Sequence, residues 1–222
     1  MKKTEWDKRF FHGRYNKWPF TDVVSFVMRR FGAAPDRSQV RILDLGCGGS
    51  HHLMFLAHEG FAYYGIDGAS ESISIAVERL TAAGFPSQTV VQGELGQLPY
   101  EDNFFDGVID RGSLTCNRLR DMHPLIAETR RVLKPGGTLY STILGVGSTS
   151  KETGEHLGDN DYADLGDRLK GAGVIHYTDA REAERLFAAF RIDSIVTQIT
   201  RTDYPRQSAV PVTEWVYITC TK

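Results

Sequence analysis

From about residue 40 onward, short runs of β-branched and other apolar residues alternate with longer stretches whose apolar positions recur every three or four residues. Short apolar runs mark strands and the longer period marks helices, so the alternation predicts βαβ units and a mostly parallel α/β sheet. The strands read as Val40–Leu45, Ala62–Asp67, Gln88–Gln92, Gly107–Asp110, Gly137–Leu144, Ile192–Thr200 and Thr213–Cys220. The helices read as Thr21–Phe31, His52–Glu59, Ser70–Ala83, Met122–Leu133 and Asp179–Phe190. In the third helix Ile73, Ala76, Val77 and Leu80 share one face, with Ser70 placed as N-cap and Gly84 as the stop. No helical pattern separates the last two strands, and about a dozen residues cannot hold a crossover helix, so this pair is expected to be antiparallel. Between Gly145 and Gly173 the chain is rich in Gly, Asp and Glu, which predicts a loop or lid with one short helix over Tyr162–Leu169.

The 222 residues, 41% hydrophobic and 24% charged, suit one globular domain. The pattern divides it into an N-terminal flap (1–37), a ligand-binding half (38–144), a lid or substrate insertion (145–178) and a last helix with a β-hairpin (179–222). No apolar stretch reaches the roughly 18 residues of a membrane span, and no apolar run follows the basic start as in a secretory signal. Three widely spaced cysteines, Cys47, Cys116 and Cys220, fit reduced thiols in the cytoplasm. The net charge of −2 gives no broad pull toward nucleic acid. The first 41 residues nonetheless carry 10 Lys/Arg against 4 Asp/Glu, which fits either a solvated helix face or a basic flap meeting an anionic or polar ligand.

The chemistry concentrates where strands end. Arg41-Ile-Leu-Asp-Leu-Gly-Cys-Gly-Gly-Ser50 runs a buried strand into a Gly-rich turn and then a helix. Gly46 and Gly48 lack Cβ atoms, so the backbone can turn sharply and let a ligand lie against it. The third glycine of a dinucleotide fingerprint is missing, since His51 stands in that place, and Asp44 would repel a pyrophosphate, which disfavours a nicotinamide oxidoreductase. Asp67 ends the next strand about 20 residues on, where a carboxylate either caps the following helix or accepts the hydroxyls of a ribose. His51, His52 and His58 do not form a metal-ligand set. His51 is placed to touch a ligand carboxylate, and His176 with Tyr177 is the candidate for a general base or substrate contact.

The motifs DLGCGGS, GIDGAS, LPYEDNFFDGVID and RVLKPGGTLYST, in this order and at these spacings, resemble the class I S-adenosylmethionine-dependent methyltransferases. Within that family the chain is similar to the small-molecule enzymes of the ubiquinone and menaquinone type. The resemblance covers about residues 38–145 and, by topology, the terminal hairpin. It implies a Rossmann-like, doubly wound, seven-stranded sheet with an antiparallel last strand and helices on both faces. It also implies S-adenosylmethionine as cofactor, S-adenosylhomocysteine as product and methyl transfer to an oxygen or nitrogen of a small molecule. Carried over by residue, it implies that Asp44, Gly46, Cys47 and Gly48 hold the methionine part of the cofactor. Asp67 would take the ribose hydroxyls with Gly68 and Ala69 beside the adenine, and Glu94 and Leu95 would face the adenine amino group. Asp110 and Arg111 would pass close to the sulfonium. The family commonly has glycine where this chain has Ser50, which could cap the helix and bind the methionine carboxylate. Trp6, Phe10, Phe11, Tyr15, Trp18 and Phe20 crowd the N-terminus and fit either core packing or a flap that lays Tyr15 and Trp18 over the cofactor's cation. A nucleic-acid or protein methyltransferase and a non-catalytic cofactor-binding protein are the alternatives.

Overall fold

The computed structural model describes residues 16–166, 169–202 and 211–222. Strand β1 (Arg41–Leu45) is buried from Ile42 onward, as an apolar run covered on both faces must be. It pairs in parallel with β2 (Ala62–Asp67) and β4 (Phe105–Arg111). Strand β3 (Val90–Gln92) adds in parallel to β2, and β5 (Leu133–Gly145) adds in parallel to β4. Beyond β5 the chain places β10 (Val212–Thr221) and then β9 (Arg191–Arg201), each antiparallel to its neighbour. The order β3-β2-β1-β4-β5-β10-β9 is a doubly wound, Rossmann-like sheet of seven strands.

Both faces are covered. On β1, Leu43 and Leu45 face one core with Val108, Leu139, Ile126 and Phe187, under α4 (Leu119–Val132) and α5 (Ala180–Leu186). Ile42 faces the other, with Val27 of α1 (Thr21–Phe31), Leu53 and Leu56 of α2 (His51–His58), and Ala76 and Leu80 of α3 (Ser70–Ala82). This alternation also turns Asp44 toward the α2 side of the sheet. No helix among the described residues is long and apolar enough to cross a membrane.

Two expectations change. Ser70 is the first residue of α3 and not its cap, a place taken by the extended Ala69, while Gly84 follows the helix at φ +79° as expected of a stop. Of the short helix expected over Tyr162–Leu169, residues 162–166 are not helical, and residues 167–168 lie outside the described residues. A 3₁₀ turn (Thr149–Thr153) leads instead into the hairpin β6 (Glu155–Gly158) and β7 (Asp161–Ala163). Strand β8 (Ile175–Thr178) then pairs with β7 and, in parallel, with the end of β5, which brings the sheet to ten strands. The hairpin turns on Asp159 and Asn160, both at positive φ (49° and 60°), the conformation of a two-residue type I′ turn.

Candidate active site

A cleft of about 580 Å³ opens at the C-terminal ends of β1, β2 and β4, where the sheet's winding reverses. Seven of its lining residues are glycines: Gly46, Gly48, Gly49, Gly68, Gly93, Gly96 and Gly112. The turn after β1 is fixed by the N–H groups of Gly46 and Cys47, which donate to Ile66 O at 2.8 and 3.0 Å. Gly46 needs its identity twice over. Its φ is +72°, and a Cβ there would stand 1.9 Å from Ser113 Oγ, which donates to Leu45 O. Gly68 is different: its φ is not in the left-handed range and a Cβ would meet only Gly93 O at 3.9 Å. Neither conformation nor packing requires glycine at 68, so what its absent side chain leaves is room in the cleft.

Asp67 lies across from this turn. Its Oδ2 accepts from Gly48 N (2.9 Å) and its Oδ1 from Ala69 N (2.8 Å). Burial raises its pKa, and the two amide bonds pull the other way. Each oxygen keeps a lone pair for a ligand hydroxyl, so a held carboxylate at the wall of a glycine-lined cleft fits the ribose of S-adenosylmethionine. Glu94 and Leu95, on the loop after β3, line the same wall.

Several residues expected at the ligand stand behind the wall. Asp44 is buried with Oδ1 3.2 Å from His52 Nδ1 and does not line the cleft. Cys47 packs against Gly65, and burial pushes its thiol up. Ser50 offers no cap: it is buried at φ +65°, its hydroxyl has no partner among the described residues, and its backbone explains why glycine is common there. Asp110 is also buried. Its Oδ1 accepts from Ser113 N and Leu114 N and its Oδ2 from Ser141 Oγ, so it shapes the turn after β4. Burial pushes its pKa up to about 6.

The candidate base lies away from the cleft. His176 is fully buried on β8, with Nδ1 2.8 Å from Asp161 Oδ1 and Nε2 3.0 Å from Glu182 Oε2. Tyr177 is buried too and shares a hydrogen bond with Ser150. Neither lines the cleft; the pair joins β7, β8 and α5. Trp18 is 82% exposed and does not line it either, and Tyr15 lies outside the described residues.

The cleft gains Asn16, Ser113, Cys116 and Asn117, which sequence reasoning left out of the site, and is lined also by His51 and Arg111, which it named. Ser113, Cys116 and Asn117 follow β4 directly, and the rule that ligands bind at strand C-termini points to them. Asn16 lines the mouth, where Arg79 binds the carbonyls of Asn16, Lys17 and Gly49 and so fastens the N-terminal segment to the glycine turn. His51 lines the cleft with both ring nitrogens buried and without a described partner. Burial, then the neighbouring His52, draws its pKa down to about 3, so the ring is neutral at physiological pH. Arg111, also lining the cleft, donates through Nε to Asp22 Oδ2 (2.8 Å) and through Nη1 to Thr142 Oγ1 (3.3 Å).

Residues 36–163, more than half of the chain, match the family model described as Methyltransferase domain. The demethylmenaquinone methyltransferase of Geobacillus kaustophilus is 31% identical over 115 residues, covering 50% of this chain and 47% of the relative. The fatty-acid O-methyltransferase of Mycolicibacterium smegmatis is 33% identical over 112 residues, covering 50% and 39%. The chain thus spans less than half the length of these curated relatives. Among solved structures, a SAM-dependent methyltransferase from Methanosarcina mazei superposes with a TM-score of 0.68 at 21% identity, covering 92% of this chain and 98% of that one. With this fold and this family match, the chain belongs to the class I S-adenosylmethionine-dependent methyltransferases.

Proposed function

We propose that this chain methylates an oxygen or nitrogen of a small molecule with S-adenosylmethionine as donor. The observation that carries the reading is Asp67, held by the amides of Gly48 and Ala69 beside a glycine whose missing side chain serves only the cleft. In this reading Asp67 accepts the ribose hydroxyls, Glu94 and Leu95 flank the adenine, and the Gly46–Gly49 backbone holds the methionine part. Asp44, Cys47, Ser50 and Asp110 serve from behind by shaping that backbone. When bound, the cofactor supplies an electrophilic methyl on a positively charged sulfur. The chain's task is then alignment and the exclusion of water. Phe20 and the Arg79-fastened segment cover the mouth for that purpose. Relatives named for demethylmenaquinone and fatty-acid methylation support a small-molecule acceptor.

Titration calorimetry with S-adenosylhomocysteine tests the cofactor half. The wild-type chain should bind it, and Asp67→Ala should weaken binding about 30-fold or more, as expected for lost charge-assisted hydrogen bonds. No binding by the wild type would end the proposal. Transfer of labelled methyl into a metabolite extract tests the rest, and binding without transfer would leave a cofactor-binding protein.

A further inference from the structure

The acceptor end of the cleft is built around one guanidinium. Among the described residues that line the cleft, Asp67 and Glu94 are the acids and Arg111 is the cation. The Arg111 side chain is only 10% exposed, and it is stacked between the rings of Phe20 (4.3 Å to the centroid) and Trp215 (4.5 Å), with Tyr217 at 5.9 Å. Three distant elements bring these groups together: the approach to α1, the end of β4, and β10. Gly112, at φ +83°, lines the cleft beside Trp215, whose ring lies 3.5 Å from where a Cβ at 112 would stand.

Arginine–carboxylate pairs frequently use two parallel prongs. Here the pair is single-pronged. Asp22 Oδ2 takes Arg111 Nε and also the Tyr140 hydroxyl, and Nη1 goes to Thr142. Two of the five guanidinium N–H groups are therefore used, and Nη2 donates to no described residue. A nearly buried cation with unused donors at the wall of a cleft is arranged to meet an anion. Beside it stands His51, a neutral ring with two unpartnered nitrogens.

We propose that Arg111 anchors the methyl acceptor, and that the acceptor carries a planar carboxylate seated between Phe20 and Trp215. A carboxylate fits better than a phosphate. Asp22 already offsets part of the single positive charge, and Asp67 and Glu94 share the cleft, so a dianion would be left unbalanced. Planarity follows from the two flanking rings, and His51 is within the same end to donate or accept one further hydrogen bond. The inference rests on the proposed methyl transfer, because it assigns this end of the cleft to the acceptor.

The test uses the full chain saturated with S-adenosylhomocysteine and a matched pair of probes, cinnamate and its neutral amide, in calorimetry. Cinnamate should bind about tenfold or more tightly than cinnamamide, the discrimination expected of a charge-assisted hydrogen bond. The double variant Asp22→Asn with Arg111→Met removes both charges together and leaves neither unpaired. In it, the preference should fall to about twofold or less, while added S-adenosylhomocysteine still raises the melting temperature. Arg111→Lys keeps the charge without the fork, so its preference should be reduced yet retained, and it carries the test if the double variant does not fold. Equal binding of the two probes, binding of neither, or an undiminished preference in the variants would overturn the assignment. Failure of the wild type to bind S-adenosylhomocysteine is read separately, as failure of the methyltransferase reading.

Discussion

At one end of the cleft the walls are backbone, from Gly46, Gly48, Gly68 and Gly93 with the amides that hold Asp67. At the other they are side chains, with Phe20 and Arg111 lining the cleft and Trp215 of β10 stacked on the guanidinium. At Gly46 this backbone wall tolerates almost no change, because φ and close packing leave no latitude, whereas at Gly68 a side chain would only take up room in the cleft. A side-chain wall can be rebuilt by substitution while the fold stays as it is. The first kind suits a ligand shared by a whole family and the second suits a ligand peculiar to one member.

The harshest way to break the contrast is Gly46→Val. A branched side chain at φ +72°, aimed at Ser113, should cost about 4 kcal/mol or more and abolish S-adenosylhomocysteine binding, as melting and calorimetry would report. A variant that folded and bound normally would show that the backbone wall is adaptable after all. His176→Leu comes next and asks whether the insertion belongs to the site. It strands Asp161 and Glu182 without their partner, so denaturant unfolding should lose about 3 kcal/mol, while the folded fraction keeps its cofactor affinity. Loss of that affinity with little loss of stability would restore a direct role for this histidine.

Asp110 offers a pH-dependent version of the same question. Its pKa is raised from 3.8 to about 6, so the folded chain holds this proton more tightly than the unfolded chain does. The resulting stability is fully present below about pH 4 and is lost as pH rises through about 6, a change of up to about 3 kcal/mol. Asp110→Asn keeps one oxygen for the amides of Ser113 and Leu114 and turns its own amide toward Ser141. Unfolding titrations across that window should therefore flatten in the variant, and an unchanged slope would place the proton elsewhere. The smallest effect is expected from Ser50→Gly, which relieves a left-handed conformation and should add about 0.5–1 kcal/mol to stability. A loss instead would mean that the buried hydroxyl has work the structure does not reveal.

The same contrast decides what was legible in the sequence. Helix α1 and strand β2 are found where the apolar pattern puts them, because each buries one stripe or run against the core. The glycine turn and Asp67 are local, and their spacing carries their geometry. Asp44 and Asp110 were visible as acids at strand ends, but which side of the wall they serve depends on strand alternation and on partners such as His52 and Ser141. The stack on Arg111 joins residues 20, 111 and 215, and no local pattern announces a meeting over such separations. Strands β6 to β8 are short and owe their state to pairing more than to propensity. Even so, Asp159-Asn160 between Gly158 and Asp161 carried a hairpin signal.

Strand β10 is paired on both sides, to β5 and to β9, and just beyond it the backbone of Lys222 exchanges hydrogen bonds with Gly136 and Gly137. As the chain emerges from the ribosome, β1 to β5 can pair in parallel while residues 212–221 are still being made. Until those residues arrive, the long edge of β5 is open and prone to wrong pairing, and Arg111 lacks the ring of Trp215. The glycine-lined end of the cleft thus draws on strands made early in synthesis, whereas the stack around Arg111 waits for β10.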